Sequence, residues 1–95
     1  MHLGLFIGGE GHHIAAWRDP STPALAAQDI NGYLELARKG EAALFDFLFT
    51  ADTNAVFYGD DIEQWSRTTQ VLRLEPLTLL SALAVATERI GLICT

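Results

Sequence analysis

The sequence has little of what disulfide scaffolds, nucleic-acid binders and membrane proteins require. Its one cysteine, Cys94, excludes an internal disulfide and cannot alone form a zinc site. Lys and Arg number 6 against 12 Asp and Glu, a net charge of -6, whereas binding to a phosphate backbone depends on Lys and Arg clusters. No basic region follows Met1, and no apolar run approaches the roughly 18 residues that a membrane span needs. These absences predict a cytoplasmic, soluble protein with no nucleic-acid partner and no membrane contact.

Three short apolar runs are the clearest structural signal that the sequence does contain. They are Leu3 to Ile7, Leu44 to Phe49 and Ile90 to Cys94. Runs of this kind are typical of strands in a parallel sheet, which is buried on both faces. Right-handed crossovers would make the three strands parallel neighbours.

Loops and helices are predicted between these runs. The stretch from Glu10 to Gln28 contains two prolines and indicates a long irregular loop, and a second loop follows Asp52 and continues to about Leu74. Apolar residues at helical spacing follow the first loop from Asp29, a plausible cap, and follow the second from Pro76. The order is therefore β-loop-α-β-loop-α-β, an α/β class.

Three strands and two helices are fewer than a complete α/β fold contains. A (β/α)₈ barrel takes roughly 250 residues, and a doubly wound sheet has more than three strands. Apolar residues make up 49% of the chain and charged residues only 19%, which is richer in core-forming residues than a free-standing small domain requires. We therefore expect residues 1–95 to be one segment, the N-terminal β-α-β-α-β portion of a TIM barrel with parallel strands.

Three polar residues, His12, Asp52 and Thr95, lie within a few positions of the predicted strand ends. In α/β barrels the carboxyl ends of the strands carry nearly all binding and catalytic groups. Taken alone, Asp52 could equally form a turn or cap a helix, and His12 and His13 could be solvated loop residues. The residues thus mark a candidate site and leave its role open.

Other patterns favour structural roles. The segment Gly8-Gly9-Glu10-Gly11 differs from a dinucleotide fingerprint because its third glycine does not open a helix, so we expect the glycines to relax a tight strand exit. The His, Asp and Cys residues lack the paired spacing of zinc ligands, and no metal is predicted. Cys94 lies in an apolar strand, which favours a small buried hydrophobic residue over a nucleophile.

Four ordered segments carry a family resemblance: Gly11–Arg18 (GHHIAAWR), Leu44–Asp52 (LFDFLFTAD), Leu74–Thr78 (LEPLT) and Thr87–Leu92 (TERIGL). Together they resemble the luciferase-like flavin-dependent monooxygenases, in particular the branch of nitrilotriacetate, pristinamycin and dibenzothiophene-sulfone monooxygenases. The resemblance covers essentially the whole chain. It implies a (β/α)₈ barrel of several hundred residues, in agreement with the expectation from length.

The resemblance also implies a reaction and its participants. A separate flavin reductase would supply reduced FMN, with which the intact protein and molecular oxygen oxygenate a small organic substrate. Asp52 and Thr95 match positions that contact FMN, and His12 matches a histidine that lines the active site, where it could donate a hydrogen bond or transfer a proton. Apart from the resemblance, Trp17 and Arg18 are expected to be a packed aromatic residue with a surface cation that shapes the pocket rim. Family members are often dimers or tetramers, which implies a homo-oligomer.

Two alternatives stay open. One is a deazaflavin-dependent oxidoreductase on the same barrel, although Trp17-Arg18 and Glu75-Pro76 favour the monooxygenase branch. The other is a catalytically inactive truncated product that self-associates through an unpaired edge strand. The 95-residue piece alone is expected to be inactive, because the phosphate site of a barrel lies near strands seven and eight.

Overall fold

The chain folds around a parallel sheet of three strands. The structure is a computed structural model that describes residues 1–53, 55, 59–68 and 72–95. The strands are β1 (Gly4–Phe6), β2 (Phe47–Thr50) and β3 (Gly91–Cys94), and they stand in the order β1-β2-β3. Both pairings are parallel. The predicted α/β architecture with parallel neighbouring strands is therefore confirmed.

Three α-helices accompany the sheet: α1 (Ile30–Ala42), α2 (Ile62–Trp65) and α3 (Pro76–Ala86). The carboxylate of Asp29 accepts a hydrogen bond from the backbone N–H of Asn31 at 3.0 Å, so the predicted cap of α1 is confirmed.

Helix α3 begins as its sequence predicts. Pro76 occupies the first turn, where its missing N–H has no role. The Glu75 carboxylate accepts hydrogen bonds from the backbone N–H groups of Leu77 and Thr78 at 2.9 and 2.8 Å. These contacts satisfy N–H groups at the N-terminus of α3, and they lower the pKa of Glu75.

The second strand begins later than its apolar run suggests. Leu44 adopts a left-handed backbone with φ of 62° and is exposed, so it belongs to the turn that ends α1. Asp46, expected within the strand, instead precedes it and accepts hydrogen bonds from Leu3 N at 2.7 Å and His2 Nδ1 at 3.0 Å. The prediction of a strand from Leu44 was wrong because apolarity does not distinguish a helix-ending turn from a strand.

The two long loops contain more local structure than expected. Single 3₁₀ turns form at Ala16–Arg18 and Ala26–Gln28 in the first loop, and α2 forms in the second. Residues 54, 56–58 and 69–71 of the second predicted loop, Tyr58 among them, lie outside the described residues.

The hydrophobic core lies between one face of the sheet and helices α1 and α3. Leu48 of β2 and Leu83 of α3 are fully buried. The other members of the cluster are Ile7, Tyr33, Ala37, Leu79, Leu80 and Ile90. Side chains alternate between the faces of a strand, so the neighbours of Leu48 in β2 point away from the helices.

The opposite face of the sheet carries aromatic residues and glycines in register. Phe47 is paired with Gly4 on one side and Gly91 on the other, and a Cβ added to Gly4 would lie 2.2 Å from the Phe47 ring. The next row contains Phe6, Phe49 and Ile93, of which Phe6 is 49% and Ile93 44% exposed. We call this row and the Phe47 row the open face.

Within the part of the chain that the structure describes, no helix is long and apolar enough to cross a membrane.

Candidate functional site

A glycine turn returns the chain to the carboxyl end of β1. Gly11 N donates to Gly8 O at 3.0 Å, and Gly11 has a φ of 84°, which glycine adopts without the cost that a side chain imposes. A Cβ on Gly9 would lie 2.2 Å from the Cα of Ala27. The expected tight strand exit is thus confirmed, and it requires glycine for two different reasons.

His12 follows this turn and packs against the end of β1. Its Nε2 lies 3.0 Å from the carbonyl oxygen of Phe6. The rings of His12 and Phe6 are 4.4 Å apart between centroids, and Phe6 in turn lies 5.1 Å from Phe49. The imidazole therefore continues the aromatic row of the open face at the carboxyl edge of the sheet.

The other two histidines are engaged elsewhere. His13 Nδ1 accepts a hydrogen bond from Ala15 N at 3.1 Å, so this ring stabilises the loop in which it lies. His2 binds Asp46 at the amino edge of the sheet. Of the two adjacent histidines, His12 is the one that contacts a strand.

Asp52 and Thr95 are neighbours across the ends of β2 and β3. Asp52 N donates to Thr95 O at 3.2 Å, and Thr95 N donates to Thr50 O at 3.4 Å. Both residues are exposed. Asp52 Oδ1 also accepts from Thr53 N at 2.7 Å, which is the turn-forming role that the sequence allows. Within the described residues, Asp52 Oδ2 has no hydrogen-bond partner.

His12, Asp52 and Thr95 therefore lie at the same edge of the sheet, because each follows one of three parallel strands in register. A cleft of about 80 Å³ opens beside them, between the turn and the ends of β2, α1 and α3. His12 lines this cleft, whereas Asp52 and Thr95 do not. The histidine and the Asp52–Thr95 pair thus occupy two adjacent parts of one edge.

Four further polar residues line the cleft beside His12: Glu10, Tyr33, Thr50 and Arg73. Burial raises the pKa of the Glu10 carboxyl and that of the Tyr33 hydroxyl, which donates a hydrogen bond to Ala27 O at 3.4 Å. The sequence patterns predict no functional role for Tyr33, Glu10 or Arg73. Of these residues, Glu10 could have been recognised from the sequence as a candidate site residue, because it is a single carboxylate between glycines at the end of a predicted strand.

Trp17 connects the two long loops, and Arg18 packs against the Trp17 ring. Trp17 Nε1 donates to Arg67 O at 3.2 Å, and the Arg18 guanidinium lies 5.0 Å from the centre of the Trp17 ring. Neither residue lines the cleft, so their contacts fix the loops that surround the edge.

Candidate metal ligands are dispersed. Within residues 1–53, 55, 59–68 and 72–95, no group of three or more His, Cys, Asp or Glu is placed to hold a metal ion. Cys94 is half-buried and packs against the core, as expected for a small hydrophobic residue.

Sequence comparisons relate the whole chain to monooxygenases. It is 42% identical over 95 residues to N-acetyl-S-(2-succino)cysteine monooxygenase of Bacillus subtilis (strain 168), covering 100% of this chain and 20% of the relative. It is 46% identical over 86 residues to one subunit of pristinamycin IIA synthase from Streptomyces pristinaespiralis, covering 90% and 20%. It is 40% identical over 102 residues to nitrilotriacetate monooxygenase component A of Aminobacter aminovorans, covering 100% and 22%. These similarities agree with the resemblance of the chain to the luciferase-like flavin-dependent monooxygenases.

The similarity to these relatives confirms the resemblance carried by the four sequence segments. No family model matches the chain. The chain spans about a fifth of the length of the curated monooxygenases it matches. The parallel α/β unit described here is consistent with the N-terminal part of a TIM-barrel monooxygenase.

Proposed function

We propose that this chain is part of an FMN-dependent, two-component monooxygenase that uses molecular oxygen to oxygenate a small organic substrate. The observation that carries the proposal is the similarity of the whole chain to three monooxygenases, two of which are named as one part of a larger enzyme. The parallel sheet supports it, because His12, Asp52 and Thr95 share one edge.

The residues at this edge fit an isoalloxazine ring. The ring has a broad aromatic face and a polar edge of N–H and C=O groups. Phe6 and Phe49 offer aromatic surface beside His12. The exposed carboxylate of Asp52 can accept hydrogen bonds, and the exposed hydroxyl of Thr95 can donate and accept them. Asp52 and Thr95 would hold FMN, and His12 would face the reacting part of the site.

When bound, reduced FMN supplies the electrons for transferring one oxygen atom from O₂ to the substrate while the other leaves as water. The chain's own contribution is binding, orientation and exclusion of water. Phe6 and Ile93 present exposed apolar surface on the open face, which would keep water from that side of the edge once the rest of the barrel covers it. His12, beside this apolar surface, can hold or move a proton at its ring nitrogens.

The remaining parts of the function belong to the intact protein. We propose that residues 1–95 form the N-terminal segment of the barrel and that the intact protein is a cytoplasmic homo-oligomer. A separate reductase supplies reduced FMN, as suggested by the multi-part names of two relatives. The segment alone is inactive, since the phosphate site of a barrel is built near strands seven and eight.

Oxygen incorporation tests this function directly. The intact protein would be given FMN, a flavin reductase with its nicotinamide donor, ¹⁸O₂ and a panel of small amine, thioether and sulfone compounds. We expect one labelled oxygen atom in one class of product and water as the other product. Labelled product formed without reduced FMN would contradict the proposal. Turnover with a reduced deazaflavin that consumes no oxygen would also contradict it and would favour the deazaflavin alternative.

A further inference from the structure

We infer that His12 acts as a hydrogen-bond acceptor or base through Nδ1, because the fold fixes the proton of its neutral ring on Nε2. The inference rests on the proposed function only for the identity of the bound molecule. The ligand chemistry that it specifies is an N–H or O–H donor at the edge of the sheet, on the flavin or on the substrate. A ligand group that can only accept would not be recognised by the neutral ring at this nitrogen.

The carbonyl of Phe6 determines the position of the proton. A carbonyl oxygen can only accept, so the nitrogen 3.0 Å from it, Nε2, must carry hydrogen. A neutral imidazole carries one proton, which leaves the lone pair on Nδ1. Within the described residues Nδ1 has no hydrogen-bond partner, and His12 is exposed. Nδ1 is therefore the nitrogen that can meet a ligand.

Phe6 lies on the outer strand of the described sheet, and this placement is compatible with the contact. Ile7 N donates to Phe49 O at 2.8 Å, so the alternate backbone groups of β1, those of Phe6 included, point away from β2. A carbonyl oxygen has two lone pairs, so Phe6 O can accept from His12 and from a further strand at the same time.

The glycine turn holds the ring in this position. Gly11 has a φ of 84°, and a Cβ there would meet nothing within 4 Å, so its role is purely conformational. Ring contact with Phe6 at 4.4 Å fixes the plane of the imidazole. Gly11 and Phe6 are thus positioning residues for His12.

The three histidines differ in a way that makes the inference measurable. His13 accepts at Nδ1 from Ala15 N, so its neutral ring also carries the proton on Nε2. His2 places Nδ1 3.0 Å from a carboxylate oxygen of Asp46, and a carboxylate accepts, so this ring carries a proton on Nδ1. His2 therefore provides an internal reference for the opposite arrangement.

The test is a long-range ¹H–¹⁵N spectrum of the intact, ligand-free protein labelled with [¹⁵N]histidine, recorded at a pH where imidazole is neutral. The signals are assigned by their loss in single His→Gln variants. We expect a protonated-nitrogen shift for His12 Nε2 and an unprotonated-nitrogen shift for His12 Nδ1. The reverse pattern, or averaging between the two, would overturn the inference. Because no flavin is present, this result is independent of the proposed function.

Two isosteric variants extend the test to the bound state. The amide nitrogen of Gln at position 12 can replace Nε2 as donor to Phe6, whereas the amide oxygen of Asn can replace Nδ1 as acceptor. We expect His12→Asn to retain more reduced-FMN-dependent oxygenation than His12→Gln in the intact protein, with both variants folded by circular dichroism. Greater activity of His12→Gln would overturn the role of Nδ1.

The turn offers a conservative check. Gly11→Ala should shift the His12 signals toward tautomer averaging, and Gly11→Asn should restore the wild-type pattern because asparagine tolerates the left-handed region. Unchanged His12 signals in Gly11→Ala would overturn the positioning role of the turn.

Discussion

At the scale of single residues, Glu41 makes the most concentrated set of contacts in the described chain. One carboxylate oxygen, Oε1, accepts hydrogen bonds from the backbone N–H groups of Glu88, Arg89 and Ile90 at 2.9, 2.6 and 3.0 Å. These bonds hold the turn between α3 and β3, and they lower the pKa of Glu41. The position of β3, whose end carries Thr95, therefore depends on a side chain at the far edge of the sheet.

Glu41→Gln should lower the melting temperature of the intact protein, because a neutral amide oxygen accepts these bonds more weakly than a carboxylate. Glu35→Gln is the matched control, since Glu35 lies on the same helix and pairs with the exposed Lys39. Because the pKa of Glu41 is lower in the folded state, its ionised carboxylate stabilises the fold above the ordinary pKa of about 4.3. This stabilisation is lost as the pH falls through the lowered pKa. Equal melting temperatures of the two variants would contradict the role of Glu41.

The His2–Asp46 pair predicts a different pH dependence. Asp46 raises the pKa of His2 by a hydrogen bond and by its charge, so the pair stabilises the fold below about pH 6.5, and this contribution is lost as the pH rises through the raised value. His2 lowers the pKa of Asp46, so the ionised Asp46 carboxylate also stabilises the fold. This stabilisation is lost as the pH falls through the lowered pKa of Asp46. We expect the melting temperature to fall between pH 6 and 8 in the wild type and to fall less in His2→Ala. A steeper fall in the variant would rule out this coupling.

His12 is the residue whose replacement should change the outcome of the reaction. In the intact protein, His12→Ala should slow oxygenation or divert reduced FMN and oxygen to hydrogen peroxide, because the proton-handling group of the site is missing. The peroxide formed per FMN oxidised measures this coupling, with His13→Ala as the control because His13 bonds to its own loop. Full coupling in His12→Ala would remove the residue from the site.

At the scale of elements, α1 contains two glycines with opposite environments. A Cβ on Gly40 would lie 3.3 Å from Leu48 Cδ2 and 3.4 Å from Ile90 Cδ1, in the core between helix and sheet. A Cβ on Gly32 would have only Asp29 Oδ2 nearby, at 3.6 Å. Gly40 is thus required for close packing of α1, whereas Gly32 only lowers helix propensity.

Alanine substitutions should separate these roles. Gly32→Ala should raise the free energy of unfolding by up to about 1 kcal/mol, the gain in helix propensity. Gly40→Ala gains the same propensity but overpacks the core at a cost of roughly 1–3 kcal/mol, so we expect a net loss of about 1 kcal/mol. Denaturant unfolding measures both. Stabilisation by Gly40→Ala would show that the core yields to the added methyl group.

The elements also show how far the sequence predicts the fold. Periodicity and caps predicted α1 and α3, because Asp29 and Pro76 act locally. The preference for right-handed crossovers predicted the parallel neighbouring strands. The start of β2 was wrong, since the left-handed turn at Leu44 has no local signal in an apolar run. Long-range contacts such as that of Glu41 with residues 88–90 depend on the packing of α1 beside α3, which a sequence pattern does not encode.

The candidate site was likewise predicted only in part from the sequence. The edge that carries His12, Asp52 and Thr95 follows from strand polarity, which the sequence predicts. The Phe6 carbonyl contact and the cleft residues Glu10 and Tyr33 depend on the exact path of the glycine turn. That path is a property of the folded chain.

At the scale of the whole molecule, one face of the sheet is packed and the other is open. The helices cover Leu48 and its neighbours, whereas Phe6 and Ile93 of the open face stay about half exposed. In the proposed barrel, the open face becomes the interior and the edge with Asp52 becomes part of its carboxyl rim. The function that we propose therefore depends on which end of the strands binds flavin.

Affinity for reduced FMN, measured anaerobically by fluorescence titration of the intact protein, decides between the two ends. Asp52 and Asp46 are exposed aspartates at opposite ends of β2. Asp52→Ala should weaken binding by roughly 10- to 100-fold, the loss of a hydrogen bond to a charged group. Asp46→Ala should leave the affinity unchanged once its melting temperature confirms folding. Wild-type affinity in Asp52→Ala, or an equal loss in Asp46→Ala, would contradict a flavin site at the carboxyl edge of the sheet.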